Sequence, residues 1–68
     1  MKARDIQVGD TYIDPQSGVP IWVVQKIVDV VPSHVKVSVS TRTEPDVLIA
    51  WDPSDEVENI YRPVKGGE

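Results

Sequence analysis

The clearest pattern of hydrophobic and polar positions lies in the stretch HVKVSVSTRT, from His34 to Thr43. One set of alternating positions is β-branched: Val35, Val37, Val39 and Thr41. The positions between them are polar: His34, Lys36, Ser38, Ser40 and Arg42. Successive side chains of a β-strand point to opposite faces, so this period of two predicts a strand with one buried and one solvated face.

A longer apolar segment, PIWVVQKIVDVVP, runs from Pro20 to Pro32. It is too rich in β-branched residues for a helix, and it exceeds the usual strand length of about 5 to 6 residues. Neither of its two alternating faces is wholly apolar, because Gln25, Lys26 and Asp29 interrupt them. The pattern predicts a strand that bends or bulges midway and gives its first half to one sheet and its second half to another.

Turn residues separate these segments from three further strands. DPQSG, at 14–18, predicts a hairpin turn between TYID and IWVV, and the short links VPSH and TEPD precede HVKVSVSTRT and DVLIAW. NIYRPV supplies a fifth strand at 59–64. Before it, DPSDEV predicts one short helical turn, with Asp52 as the N-cap and Pro53 at the first helical position.

This succession of elements resembles a Src-homology-3-like small β-barrel. The stretch IQVGDTYIDPQSGVPIWVVQKIVD is also similar to the opening of small uncharacterised proteins of actinobacteria and their phages, in which a VGD turn precedes a tyrosine strand and a tryptophan strand. The matching residues are Val8, Gly9, Asp10, Tyr12 and Trp22. The resemblance covers Ile6 to Val64 and implies an all-β, five-stranded barrel with the helical turn before its last strand. We assign residues 1–64 to this single domain, and the polar sequence KGGE predicts a disordered tail at 65–68.

The resemblance carries over no binding residue. Src-homology domains grip proline-rich peptides with an aromatic cluster and an acidic loop, and the chain has no phenylalanine and only four large aromatic residues, Tyr12, Trp22, Trp51 and Tyr61. We expect Trp22 to be largely buried, because it alternates with Val24 in the bent strand. We also expect no pocket of about 300 Å³ inside so small a barrel.

Charge is distributed unevenly along the 68 residues, whose net charge is -4. Up to Thr43, five bases face four acids, which gives +1; from Glu44 onward, two bases face seven acids, which gives -5. This balance disfavours general binding to a phosphate backbone. The absence of cysteine and of an apolar leader or membrane-length run favours a soluble, cytoplasmic protein in a reducing compartment, with no membrane partner.

Motifs for catalysis, cofactors and metals are missing from the sequence. His34 is the only histidine and has no second ligand of its kind, and its neighbouring serines do not belong to a nucleophile elbow. The acids of DPSDEVE lack the spacing of a calcium loop, and the glycines form no phosphate-binding pattern. We therefore expect a protein that is not an enzyme and has no cofactor.

A binding function is the remaining class, and the sequence offers two candidate binding surfaces. The acidic region from Glu44 to Glu58 predicts docking on a basic protein surface, with contact candidates Asp46, Trp51, Asp55, Glu56 and Glu58. For Asp52, Asp55 and Glu56, capping of the helical turn is a competing explanation. The leading hypothesis is a protein-binding module, such as an accessory or inhibitory factor of a phage or actinobacterium.

The alternatives use the alternating strand. Its solvated side predicts a mildly basic face for nucleic acid, formed by His34, Lys36 and Arg42, although no aromatic residue interleaves it for base stacking. A third hypothesis is a self-associating structural subunit, because HVKVSVS at an open barrel edge would have little except Lys36 to discourage pairing.

Overall fold

The computed structural model of the protein describes residues 1–62. A three-residue 3-10 helix, Ala3–Asp5, precedes five strands. These are β1 (Thr11–Ile13), β2 (Pro20–Val31), β3 (His34–Thr41), β4 (Val47–Trp51) and β5 (Ile60–Tyr61). All neighbouring strands are antiparallel, and their order in the single sheet is β4-β3-β2-β1-β5. The predicted all-β class with five strands is confirmed.

Strand β3 lies between β4 and β2 and supplies three of the five residues of the buried core cluster. Val35, Val37 and Val39 are 2%, 0% and 0% exposed, as their alternation predicts. β3 pairs with β2 on one side and with β4 on the other. The hypothesis that HVKVSVS is an open edge is therefore wrong, because both of its edges are occupied by backbone ladders.

Strand β2 has the bulges that its sequence predicts, but the predicted division between two sheets is wrong, because both halves pair with β3 in one sheet. Its register against β3 shifts between Val24 and Lys26 and again between Ile27 and Asp29. Each extra residue re-aims the side chains that follow, so apolar residues from both halves of the strand reach the inner face of the sheet. Val24 joins the core in the first half, and Ile27 packs against the core in the second.

The inner face is covered by the chain's own first residues. Ile6 packs with Val24 and the three β3 valines, and Ala3 and Val57 are also buried. The N-terminal segment runs beside the segment that follows β4: Ala3 N–H donates to the Asp55 carbonyl at 2.9 Å, and Val57 N–H donates to the Met1 carbonyl at 2.8 Å.

The sheet does not close into a barrel, which departs from the prediction. β4 and β5 lie at opposite ends of the strand order, and no ladder joins them among residues 1–62. The segment between them instead pairs with the N-terminal segment, including a bridge between Lys2 and Glu56. The backbone groups of the segment between β4 and β5 therefore bond to the N-terminal segment, and they do not bridge β4 and β5.

The predicted helical turn at DPSDEV is also wrong. Asp55 N–H donates to the Asp52 carbonyl at 2.9 Å, and the Asp52 carboxylate accepts from Ser54 N–H, also at 2.9 Å. This is one reverse turn with a side-chain cap, so Asp52 caps a turn and not a helix. A helix does not continue because the carbonyls of Pro53 and Asp55 accept bonds from the N-terminal segment. The 3-10 helix lies there instead, at Ala3–Asp5.

A buried carboxylate ties the end of the described chain to the turn before β1. Asp10 is 0% exposed, and it accepts hydrogen bonds from Gln7 N–H at 2.8 Å and from Arg62 Nε at 2.9 Å. Arg62 also donates to the Asp5 carbonyl at 2.8 Å. Burial raises the pKa of Asp10, but the bonds from Arg62 and Gln7 outweigh it and hold that pKa below 3.8.

Two predictions extend past Arg62. The end of the fifth predicted strand, Pro63 and Val64, and the predicted tail at 65–68 lie outside the described residues. Within the described part, the only helical element is the three-residue turn near the start, which is far too short and too polar to cross a bilayer.

Candidate functional site

Three aromatic rings lie side by side on the inner face of the sheet. Tyr12 of β1 is directly opposite Trp22 of β2, and their ring centroids are 5.5 Å apart with planes 20° from parallel. Trp51 of β4 lies on the other side of Trp22, with centroids 6.1 Å apart and an angle of 45°. We call Tyr12, Trp22 and Trp51 the aromatic row. The row is half-buried, so part of it remains accessible to solvent.

The contact between Trp22 and Trp51 requires a strongly coiled sheet. On β3, Trp22 pairs with Thr41 and Trp51 pairs with Val35. Six residues of straight strand span about 20 Å, so a flat sheet would keep the two indoles far apart. Coiling makes the inner face concave and brings opposite corners of the sheet together. The bulges of β2 are the local features that permit this curvature.

An open groove of about 470 Å³ runs along the aromatic row. Its lining residues are Tyr12, Trp22, Ile49, Trp51, Glu56, Val57, Glu58 and Asn59. One wall is therefore aromatic and aliphatic, and the other is the acidic segment that leads to β5. The sequence did not predict this aromatic cluster, and the groove lies on the surface and not inside a barrel.

Asn59 fixes the acidic wall against the sheet. Its φ of 60° lies in the left-handed region, which asparagine tolerates better than most residues. Its carbonyl accepts a hydrogen bond from Ile13 N–H at 3.1 Å, which anchors the turn to the end of β1. The preceding residues, Glu56 to Glu58, are thereby held opposite the aromatic row.

The two groove carboxylates differ in their surroundings. Glu56 contacts the N-terminal ammonium group, and Lys2 Nζ lies 3.5 Å from its other oxygen. The hydrogen bond and charge of that ammonium group, followed by the charge of Lys2, hold the pKa of Glu56 below its ordinary value. Glu58 is exposed and makes no ion pair within residues 1–62. Its charge faces the groove opening without a cation from the described chain.

The predicted contact residues divide into two groups. Trp51, Glu56 and Glu58 line the groove together. Asp46 lies elsewhere and accepts from Ser38 Oγ at 3.3 Å, and Asp55 accepts from Asp52 N–H at 3.1 Å within the reverse turn.

Sequence reasoning did not assign Tyr12, Trp22 or Asn59 to the site. The hairpin at 14–18 does not by itself predict that Tyr12 and Trp22 face each other. Ile13 pairs with Pro20, and a register shift between Tyr12 and Ile13 then places Tyr12 opposite Trp22 instead of Ile21.

The predicted nucleic-acid face is less continuous than its sequence suggests. His34 Nε2 lies 3.1 Å from the Asp29 carboxylate, and Asp29 is also the cross-strand partner of Lys36. An acid therefore stands beside two of the three residues of the predicted face. Arg42 follows the far end of β3, next to a smaller hollow of about 210 Å³. Six residues of strand place it about 20 Å from Lys36.

Catalytic or metal-binding geometry does not emerge from the described residues. Ser33 Oγ is 3.5 Å from His34 Nδ1, and both side chains face solvent, so no water-excluded nucleophile forms there. In the part of the chain that the structure describes, no three histidine or carboxylate side chains gather as a metal-ligand set. The groove offers aromatic faces and carboxylates, which suit binding.

Comparison with protein-family models, with curated proteins and with solved structures gave no match to this chain. The function is therefore inferred from the groove's own residues.

Proposed function

We propose that this protein is a small, non-enzymatic module that binds an extended, cationic segment of a partner protein in the groove. The observation that supports this most strongly is the aromatic row, which lies opposite Glu56 and Glu58 in one groove of about 470 Å³. That volume is in the range of small-ligand sites, and its open shape suits side chains of a passing peptide.

The chemistry of the two walls favours arginine or lysine side chains. A guanidinium or ammonium group over a tryptophan face is attracted by the ring quadrupole, and a nearby carboxylate adds a charge-assisted hydrogen bond. The aliphatic stem of the same side chain can pack on Ile49 and the ring edges. The net charge of -5 from Glu44 onward would steer a basic segment toward this end of the molecule.

The Src-homology-3-like relationship belongs to the same proposal. This relationship is supported by the five strands, the short connections and the bulged second strand. The coiled sheet also has the concave inner face that a small barrel needs. The unjoined strands β4 and β5 distinguish this chain from a fully closed barrel. A role as an accessory or inhibitory factor of a phage or actinobacterium rests only on the similarity of the VGD, tyrosine and tryptophan pattern.

Matched charge variants test the proposal. An arginine octapeptide is titrated into the full chain, and binding is followed by calorimetry at low salt. Glu58→Gln should weaken binding about two- to fivefold, since it removes one exposed charge at the groove. Glu44→Gln removes the same charge outside the groove and should leave the affinity within twofold of the wild type. If the two variants weaken binding equally, the effect comes from the overall charge of the protein, and the groove is not the binding site.

Replacement of the aromatic wall supplies a second test. Trp51→Ala should weaken the same peptide more than Glu58→Gln does, because a desolvated ring face contributes more than an exposed charge. Trp51→Phe retains a ring and is the control for folding. If Trp51→Ala is folded and binds as the wild type does, the aromatic row is not part of the site.

A further inference from the structure

Strand β4 leaves one of its two edges without a partner strand. Val47–Trp51 pairs with β3 on one side, and no other backbone group among residues 1–62 bonds to it. In an antiparallel pair, alternate residues direct their N–H and C=O groups to the neighbouring strand. The other half of these groups in β4 therefore points away from the sheet, in a geometry that accepts another extended chain.

The sequence around this edge is nearly symmetric. The five uncharged residues of β4 are preceded by Pro45 and Asp46 and followed by Asp52 and Pro53. Both prolines lack an N–H group, so pairing is confined to the residues between them. Leu48 is 62% exposed on the outer face, which leaves apolar surface for an added strand to cover.

The same symmetry opposes a second copy of this chain. In an antiparallel pair centred on Ile49, Asp46 of one copy would lie opposite Asp52 of the other, and this would happen twice. Like charges placed directly opposite destabilise a strand pair. Natural sheets use charged residues at their edges in this way to prevent pairing with themselves. A strand that fits this edge should instead carry a positive charge opposite Asp46 and another opposite Asp52.

We propose that the free edge of β4 binds an extended segment of a partner protein as an added antiparallel strand, with basic residues six positions apart that pair with Asp46 and Asp52. This goes beyond the groove and does not depend on it. Leu48 and Ala50 share the outer face with Ser38 and Lys36. Asp46 contacts Ser38 on that face, so the basic residues would lie on the side of the sheet opposite to the aromatic row.

Both carboxylates are held in place for this role. Asp46 accepts from Ser38 Oγ at 3.3 Å, and Asp52 accepts from the hydroxyl of Ser54 at 2.7 Å. The hydrogen bonds from Ser54 N–H and then its hydroxyl hold the pKa of Asp52 below its ordinary value. Asp52 therefore stays charged at neutral pH. A strand that supplies a base at each end gains two ion pairs without moving either aspartate.

The test uses a nine-residue peptide, capped at both ends, with two lysines six positions apart and alternating threonine and valine between them. A control peptide has the same composition with lysines five positions apart, which places one lysine on the wrong face. Each is titrated into the isotope-labelled full chain and followed by backbone amide resonances. We expect saturable shifts over 46–52 and at least threefold tighter binding of the six-position peptide. Equal affinity of the two peptides would contradict the proposed pairing of basic residues with Asp46 and Asp52.

N-methylation of the peptide separates edge pairing from charge attraction. One version is methylated on alternate amides, and a second version on the other set, so only one of them blocks the ladder toward β4. We expect one version to lose binding and the other to retain it. If both versions bind as well as the unmethylated peptide, no added strand forms and the proposal fails.

Two aspartate variants test the charge requirement and the competing occupant. Asp46→Asn and Asp52→Asn keep an acceptor oxygen for Ser38 and Ser54. The double variant should lose the preference for six-position spacing, and it should self-associate more than the wild type in sedimentation experiments. Asp14→Asn removes a charge from the first hairpin, outside both β4 and the groove, and should not change binding of this peptide. A wild type that already dimerises through the β4 amides would show that a second copy occupies the edge, which contradicts the proposal.

Discussion

The ring centroids of Trp22 and Trp51 are 6.1 Å apart, although β3 lies between the two strands that carry these residues. This contact links the fold to the proposed function. It depends on the coiling of the sheet, and it forms the base of the groove. Changes that flatten the sheet should therefore affect both stability and binding.

Replacement of Trp22 tests that link. Trp22 was predicted to be largely buried; in the structure it is half-buried and packs against the core. Trp22→Ala should lower the free energy of unfolding by about 2 to 3 kcal/mol, below the 3 to 5 kcal/mol typical of fully buried large aromatics. Trp22→Phe is the matched control and should lower the free energy of unfolding less, because it keeps an aromatic ring. Urea denaturation measures both, and an unchanged midpoint for Trp22→Ala would show that its ring does not support the sheet.

The Asp10 and Arg62 pair should contribute to stability. Asp10→Asn keeps an acceptor for Gln7 N–H but removes the charge that faces Arg62. We expect a loss of about 2 kcal/mol in the free energy of unfolding, less than for a fully buried pair because Arg62 is 44% exposed. Asp14→Asn, at an exposed turn carboxylate, should change stability less. Equal effects of the two substitutions would contradict a specific role for the buried pair.

The pH dependence of stability follows from the same carboxylate. The folded-state pKa of Asp10 lies below 3.8, so its charged form stabilises the fold fully above the unfolded-state pKa. That contribution should disappear as the pH falls from about 4 through the lower folded-state pKa. Denaturation midpoints of the wild type should decline over this acid range more steeply than those of Asp10→Asn. Parallel curves for the two proteins would exclude Asp10 as a source of the decline.

Nucleic-acid binding through the outer face should be weak. Asp29 stands beside His34 and Lys36, and the chain carries a net charge of -4. We expect no sub-micromolar gel-shift binding to single-stranded or duplex DNA at ~150 mM salt. Sub-micromolar binding that is lost when Lys36 and Arg42 are changed to glutamate would move the function to this face.

Local patterns in the sequence predicted the parts of the fold that depend on neighbouring residues. The alternation around Val37 predicted β3, the turn at Asp14 predicted the first hairpin, and the mixed faces of PIWVVQKIVDVV predicted the bulged strand. In the turn, Asp14 accepts from Gln16 N–H at 3.0 Å, and Gly18 adopts a φ of 71°. These features need only the period of two and the backbone preferences of turn residues.

Features formed by distant residues were not predictable in this way. Asp10 and Arg62 are 52 positions apart, and nothing in their local sequence relates them. The turn at Asp52 has good helix-capping residues, but its carbonyls bond to the N-terminal segment, so tertiary contacts override local preference. The candidate site follows the same division: Trp51, Glu56 and Glu58 were predicted from an acidic stretch, whereas the aromatic row needed the coiled sheet.

The central claim is that a cationic segment lies on the aromatic row, and the most direct measurement follows the indole N–H resonances of Trp22 and Trp51. An arginine octapeptide is titrated into the labelled full chain, with a glutamate octapeptide as the control. The proposed function predicts that both indole signals shift along one saturable curve with the arginine peptide and stay in place with the glutamate peptide. Unmoved indole signals, with arginine-induced shifts only along 34–42, would contradict it.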